Sequence, residues 1–375
     1  MIRPALILVI LMSYCRAVPC DDELLLLATS FAAKDQGAIH TLSLDTQTGQ
    51  LTKSSTMTDI EHPFYLATSP DGRFVYSIHG RTFGGKEHEQ VAAFRRDSAS
   101  GKLIPLNRQS ARGSAACYLA VDSTARCLLV ANYATGSVGS FQIREDGTLS
   151  EMQSFIQHSG SSINPARQKE PHAHCFVIAP GDRFCFAADL GLDKILCYQL
   201  NRESAKLSSH SQPFVRTRPG AGPRHLVFHP THDWMYVINE LGNTVTHYDF
   251  RADQGLLIER ASQTTLPEGH ADVTHTADVR ITPDGKYLYG TNRGHDSIAG
   301  FAISEDGSLK PLGNFSSHGK GPQNLLISPN GRWLLCANMP GNSISVFRID
   351  KNSGNIKLEG SPLDVLSPSC LVPLP

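Results

Sequence analysis

The sequence has no excess of one charge, no CxxC pair and no apolar run long enough to cross a bilayer. Its 34 Lys and Arg residues balance 35 Asp and Glu residues, which excludes the broad basic face of a nucleic-acid-binding surface. A local cluster can still hold a small anion, because net charge describes the whole surface and not a pocket. Without a CxxC pair no zinc cluster is expected. Of nine cysteines, Cys175, Cys185, Cys197 and Cys336 lie inside apolar strand-like runs, where cysteine acts as a small buried hydrophobe. No disulfide is assigned. The run from Ala5 to Met12 is too short for a membrane span. It follows Arg3 and precedes the small residue Ala17, the zones of a secretory signal peptide. Cys15 and Cys20 follow Tyr14 and Pro19, poor flanks for lipid attachment. The expectation is export to the periplasm or extracellular space, with a signal segment over about residues 1–20 and one domain over 21–375. Aromatics are sparse at 7%, whereas 31 Gly and 22 Pro suit many short strands joined by tight turns.

What is present is a repeat. A short apolar strand, a Pro-Asp-Gly-type turn and a second strand ending in a polar residue recur from His62, Ala115, Pro171, Gly222, His275 and Gly321. The turn positions Pro70, Ser123, Pro180, Pro230, Pro283 and Pro329 are 46 to 57 residues apart, the length of one four-stranded propeller blade. Further strands follow in each copy, joined by Asp-Gly or Thr-Gly pairs whose plain reading is hairpin chemistry. The two chain ends complement each other: SPSCLVPLP reads as the first strand of another copy, and LLLLATSF with GAIHTLSLDTQTGQLTK as the other three. The fold class is therefore all-β, a seven-bladed β-propeller whose ring is closed by a blade built from both termini. Closure also removes the unpaired sheet edges that all-β folds must otherwise protect.

Equivalent positions in a repeat serve the same backbone, so unusual residues there need another reason. Six residues before each turn stand Phe64, Cys117, His174, Arg224, Ala277 and Gln323. Nine and ten residues after it stand His79-Gly80, Asn132-Tyr133, Asp189-Leu190, Asn239-Glu240, Asn292-Arg293 and Asn338-Met339. Both columns converge on one mouth of the central channel. The recurring Asn reads first as a turn-closing side chain. His174, Arg224, Glu240 and Arg293 are not needed by the blade, since other copies fold with Cys117, Phe64, Met339 or Gly80 in the same slots. An ion-pair network lining the channel wall is the structural reading. The functional reading is a pocket in which two guanidinium groups bind an anion and His174 and Glu240 supply acid–base chemistry. His172, two residues from His174 along an extended segment, falls on the same side. With Asp189, Asn239, Asn292 and Gln323 it makes up the candidate substrate-binding set. His225 is expected to point the other way. Arg167, Lys169 and Glu170 reach the same mouth or form a solvated loop, and His275 and His295 sit at the rim of the fifth blade as structural residues.

These segments, GAGPRHLVFHP, YVINELGNTVTHYDF, TADVRITPDGKYLYGTNRGHDSIAGF and PHAHCFVIAPGDRFCFAADLGLDKI, resemble the seven-bladed propeller lactonase family. That family includes bacterial cycloisomerase-type 6-phosphogluconolactonases and the fungal carboxy-muconate cyclase. The resemblance runs from about Leu24 to the C-terminus. It implies a small-molecule lactone substrate and acid–base chemistry without metal or other cofactor. Position by position, the family's functional His matches His174, its arginines Arg224 and Arg293, and its glutamate Glu240. The sequence departs at Gln323, where relatives often carry Arg, and at His79-Gly80, where the first blade often ends in Asn-Glu. The expected reaction is hydrolysis of a sugar lactone to the aldonic acid. The alternatives are lactonising cyclisation of a muconate, a non-catalytic exported propeller, and a metal-dependent lactonase using Asp189, Asn132, Asn239 and Asn292.

Overall fold

A computed structural model describes residues 22–375 except 59, 86 and 99. The expected signal segment, residues 1–20, lies outside the described residues.

Seven antiparallel sheets of four strands each, one carrying a short additional strand, stand around a central channel. Blades 1 to 6 follow the six repeats in chain order. Their innermost strands are Leu66–Thr68, Ala116–Val121, Ala173–Ile178, Pro223–Phe228, His275–Ile281 and Pro322–Ile327. The closing blade takes its innermost strand, Leu371–Pro373, from the C-terminus and the other three from Glu23–Ser30, Ala38–Asp45 and Leu51–Met57. Leu371 pairs with Ala28 and Pro373 with Leu26. Each innermost strand packs beside the next, and the last beside the first. The seven-blade count and the two-ended closure are as the repeat implied.

Second strands such as Cys127–Asn132 and Phe184–Asp189 are buried along their whole length, because a middle strand of a blade packs against neighbouring blades on both faces. The outermost strands carry polar residues toward water. Adjacent blades are also latched by hydrogen bonds that recur with the repeat. Tyr76, Tyr236 and Tyr289 each donate a hydroxyl to a turn-glycine carbonyl of the next blade, at Gly147 (3.2 Å), Gly307 (2.8 Å) and Gly354 (2.7 Å). Trp333, fully buried, ties blade 6 to the closing blade by donating Nε1–H to the Thr46 carbonyl at 2.8 Å. The seven described cysteines are buried and unpaired.

One irregularity positions the site. In blade 3 Ala173 pairs with Asp189 and Cys175 with Ala188, leaving His174 unopposed. The same slip leaves Cys117, Arg224 and Gln323 unopposed in blades 2, 4 and 6. A bulge of this kind re-aims a side chain at the cost of one ladder position. Four of the six residues of the first repeat column, Cys117, His174, Arg224 and Gln323, are thus bulged residues, and all four line the channel mouth.

Candidate functional site

Glu240 follows the second strand of blade 4, Trp234–Asn239, and is the centre of the mouth. Its Oε2 accepts from Arg224 Nε at 2.9 Å and from Arg293 Nη2 at 3.0 Å, and its Oε1 accepts from Arg167 Nη2 at 2.6 Å. His174 Nε2 stands 3.8 Å from the same carboxylate. Three guanidinium groups thus face one carboxylate, and the cluster carries excess positive charge. Arg224, only 2% exposed, also donates from Nη1 to the Ala277 carbonyl at 2.5 Å and toward His225 Nε2 at 3.2 Å. Arg293 donates from Nε to the His275 carbonyl and from Nη2 to that of Thr276. Its Nη1 reaches Gln323 Oε1 only at 3.5 Å, so this nitrogen has donor capacity to spare.

Burial would raise the Glu240 pKa, but the adjacent Arg293 and Arg224 overcome it and hold the carboxyl well below the usual range. Burial, reinforced by Arg224, pushes His174 well below an ordinary imidazole, more than Glu240 restores. Arg293 is brought down to about 10 by burial against the pull of Glu240. At neutral pH the site therefore holds an anionic carboxylate and a neutral imidazole.

These groups line a cavity of about 320 Å³ together with Tyr133, Cys117, Gln323 and Met339. Its other wall is aromatic: Phe31, Phe64 and Phe83. The four residues put forward as catalytic are brought together, and Gln323 joins them. Arg167 belongs with them too, bonded to Glu240 and to the Tyr133 hydroxyl at 3.1 Å, whereas Lys169 and Glu170 are exposed.

Three residues of the candidate substrate set are turned elsewhere. Asp189 is fully buried and accepts from His158 Nδ1 at 2.6 Å and from the backbone N–H of His172 and Leu192. Asn239 donates to Thr244 and Thr246, and Asn292 to Ser297 and the Thr265 carbonyl. Asn132 and Asn338 repeat this clasp on Ser137 and Ser343, so the Asn column serves the blade. Of the oxygen set considered for calcium, Asp189 is engaged by His158, His172 and Leu192, and Asn132, Asn239 and Asn292 are each held through Nδ2 by hydroxyls or carbonyls of the adjoining strands and loops. His172 stacks on the outer side of Tyr133 at 4.6 Å and binds its carbonyl. It supports the cavity wall instead of lining it.

His225 departs from expectation. The bulge at Arg224 breaks the alternation of the strand, so His225 also faces the channel, 5.5 Å from the His174 ring. Its Nδ1 binds Asp278 at 2.8 Å, and Asp278 is held in turn by Arg280 and Asn324. Asp278 was not visible as a site residue in sequence, because Ala277 occupies the diagnostic column in that blade. His275 supplies a carbonyl to Arg293, and His295 binds Ser297.

The profile of the family described as "Lactonase, 7-bladed beta-propeller" matches residues 25–373. The chain is 32% identical to the 6-phosphogluconolactonase of Bacillus subtilis over 334 residues, covering 89% of this chain and 93% of that one. It is also 32% identical to the 6-phosphogluconolactonase of Formosa agariphila over 340 residues, covering 88% and 93%. The solved structure of the periplasmic gluconolactonase of Pseudomonas aeruginosa superposes with a TM-score of 0.87 at 29% identity, covering 94% of this chain and 99% of that one. By sequence, blade count and ring closure, the chain belongs to the seven-bladed β-propeller lactonase family.

Proposed function

We propose that this protein is a lactone hydrolase that opens a sugar lactone to the aldonic acid without a metal ion. The observation that carries the reading is His174 beside an arginine cluster organised by one carboxylate, all lining a cavity of about 320 Å³. Arg293, with Nη1 in reserve, and Arg224 polarise the ring carbonyl and stabilise the oxyanion that forms when water adds to it. His174 takes the proton from that water and returns it to the ring oxygen as the carbon–oxygen bond breaks. The product acid then ionises and releases one proton to solution. Glu240 is too weak a base for this task, and it holds three guanidinium groups in register instead. The negative charge that develops on the ring carbonyl beside the arginines offsets their effect on His174 and favours its protonated form as the water adds.

Export by the first 20 or so residues remains part of the proposal. It fits a substrate that is not a phosphorylated cytoplasmic metabolite, as the name of the Pseudomonas relative suggests. Proton release across a lactone panel including gluconolactone and 6-phosphogluconolactone tests the reading, with Arg293→Ala as control. Acid production above the spontaneous rate, abolished in the variant and undiminished by exhaustive chelation, is the expected result. A flat panel would overturn it and make a muconate the next substrate to try.

A further inference from the structure

The mouth of the channel is chemically divided. On one side stand Arg167, Arg224, Arg293 and Gln323, and on the other three phenylalanines contributed by the closing blade and blade 1. Phe31 follows the strand Glu23–Ser30, Phe64 occupies the column that elsewhere holds His174 and Arg224, and Phe83 lies in the loop after Phe74–His79. Their ring centroids are 5.2 Å (Phe31–Phe64), 4.9 Å (Phe31–Phe83) and 4.8 Å (Phe64–Phe83) apart. All three are only half-buried. They form a continuous apolar wall that remains partly exposed among the described residues. A hydroxyl or phosphate oxygen placed there loses water without gaining a hydrogen bond, whereas a hydrocarbon surface gains.

We propose that Phe31, Phe64 and Phe83 form an apolar subsite, and that the preferred substrate is a lactone bearing an alkyl or aryl substituent on the side facing them. Its carbonyl edge lies at the arginines. Sugar lactones enter by presenting the C–H face of the ring, and a hydrocarbon arm fills the wall better. The inference rests on the arginine wall receiving a lactone carbonyl, as proposed above.

Two measurements separate the claims. The first compares hydrolysis of δ-valerolactone and δ-decalactone, which differ only in a pentyl arm. The second compares binding of propionate and 3-phenylpropionate by ligand-observed NMR and needs no turnover. In the wild type each apolar member is favoured by about tenfold or more. In Phe64→Ala and Phe83→Ala the preference falls to near unity while propionate binding persists. Phe64→Leu, which keeps the apolar bulk, retains most of it and guards against misfolding. Absence of the preference in the wild type, or its survival in both alanine variants, would overturn the subsite. If no lactone is hydrolysed but the arylpropionate preference holds, the hydrolase reading fails and the subsite stands. If both lactones are hydrolysed without preference, the reverse follows.

Discussion

At the scale of single residues, the site is an exercise in keeping charge buried. Glu240 is 4% exposed and is tolerable only because three arginines surround it, so removing its charge leaves those cations opposing one another. Glu240→Gln is expected to lower stability by about 3 kcal/mol or more and to abolish lactone turnover. Chemical denaturation beside an activity assay checks both. The histidines set the response to acid. The folded protein holds His174 neutral well below 6.5 and His225 down to about 4, burial being the main cause in each. The unfolded chain protonates both near 6.5. Their contribution is therefore complete above pH 6.5 and is lost as pH falls below it, His225 giving up its share by about pH 4, at about 1.4 kcal/mol per pH unit for each imidazole. Asp278, held down to about 2 by Arg280 and His225 against the effect of burial, extends the loss below the ordinary carboxylate range. Urea midpoints at pH 7 and pH 5 measure the slope. The same depression places the acid limb of kcat/KM well below 6.5, and a limb at 6.5 would remove His174 as the base.

At the scale of the element, two devices of the blade have opposite purposes. The bulge in the innermost strand delivers His174, Arg224 and Gln323 to the cavity. The Asn at the end of the second strand clasps the beginning of the third through a hydroxyl five residues on, as in Asn292 and Ser297. Asn292→Ala is expected to cost about 1–3 kcal/mol of stability and to leave the KM for a lactone unchanged, since the amide points away from the cavity. Gln323→Ala is expected to do the reverse, altering KM with little change in stability. Thermal melts and steady-state kinetics on the two variants test the division.

At the scale of the molecule, ring closure makes the protein a single cooperative body. The last strand pairs with the first, and the backbone N–H of Leu371 is received by Asn324 Oδ1 at 2.8 Å, which anchors the tail to blade 6. Deleting residues 368–375 opens the ring and exposes the strand edges on both sides of the gap. The truncated chain is expected to lose its single unfolding transition and to aggregate, as calorimetry and size-exclusion chromatography would show. Retention of a sharp transition would mean that six blades and a partial seventh suffice. Closure also builds the site, because Phe31 from the N-terminal strands faces Arg293 of blade 5 across the same cavity.

The repeat made the blade count, the closure and the residues of the channel mouth legible in sequence. A repeated backbone needs the same residues everywhere, so His174, Arg224, Glu240 and Arg293 stood out as departures from it. What the linear pattern did not carry was direction. Period-two alternation sent His225 away from the channel, and a bulge, which depends on cross-strand pairing, turned it back. Asp189, Asn239 and Asn292 occupy the column beside the site, but their hydrogen-bonding partners, such as His158, Thr244 and Ser297, lie in adjoining strands and loops and draw them away from the cavity. Arg167 reaches Glu240 from a loop whose length and composition leave its course undetermined until the blades are assembled. The aromatic wall was assembled only in three dimensions, since Phe31, Phe64 and Phe83 lie far apart along the chain. Local pattern determined which strands form and in what order. Packing between blades decided which side chains face the same space.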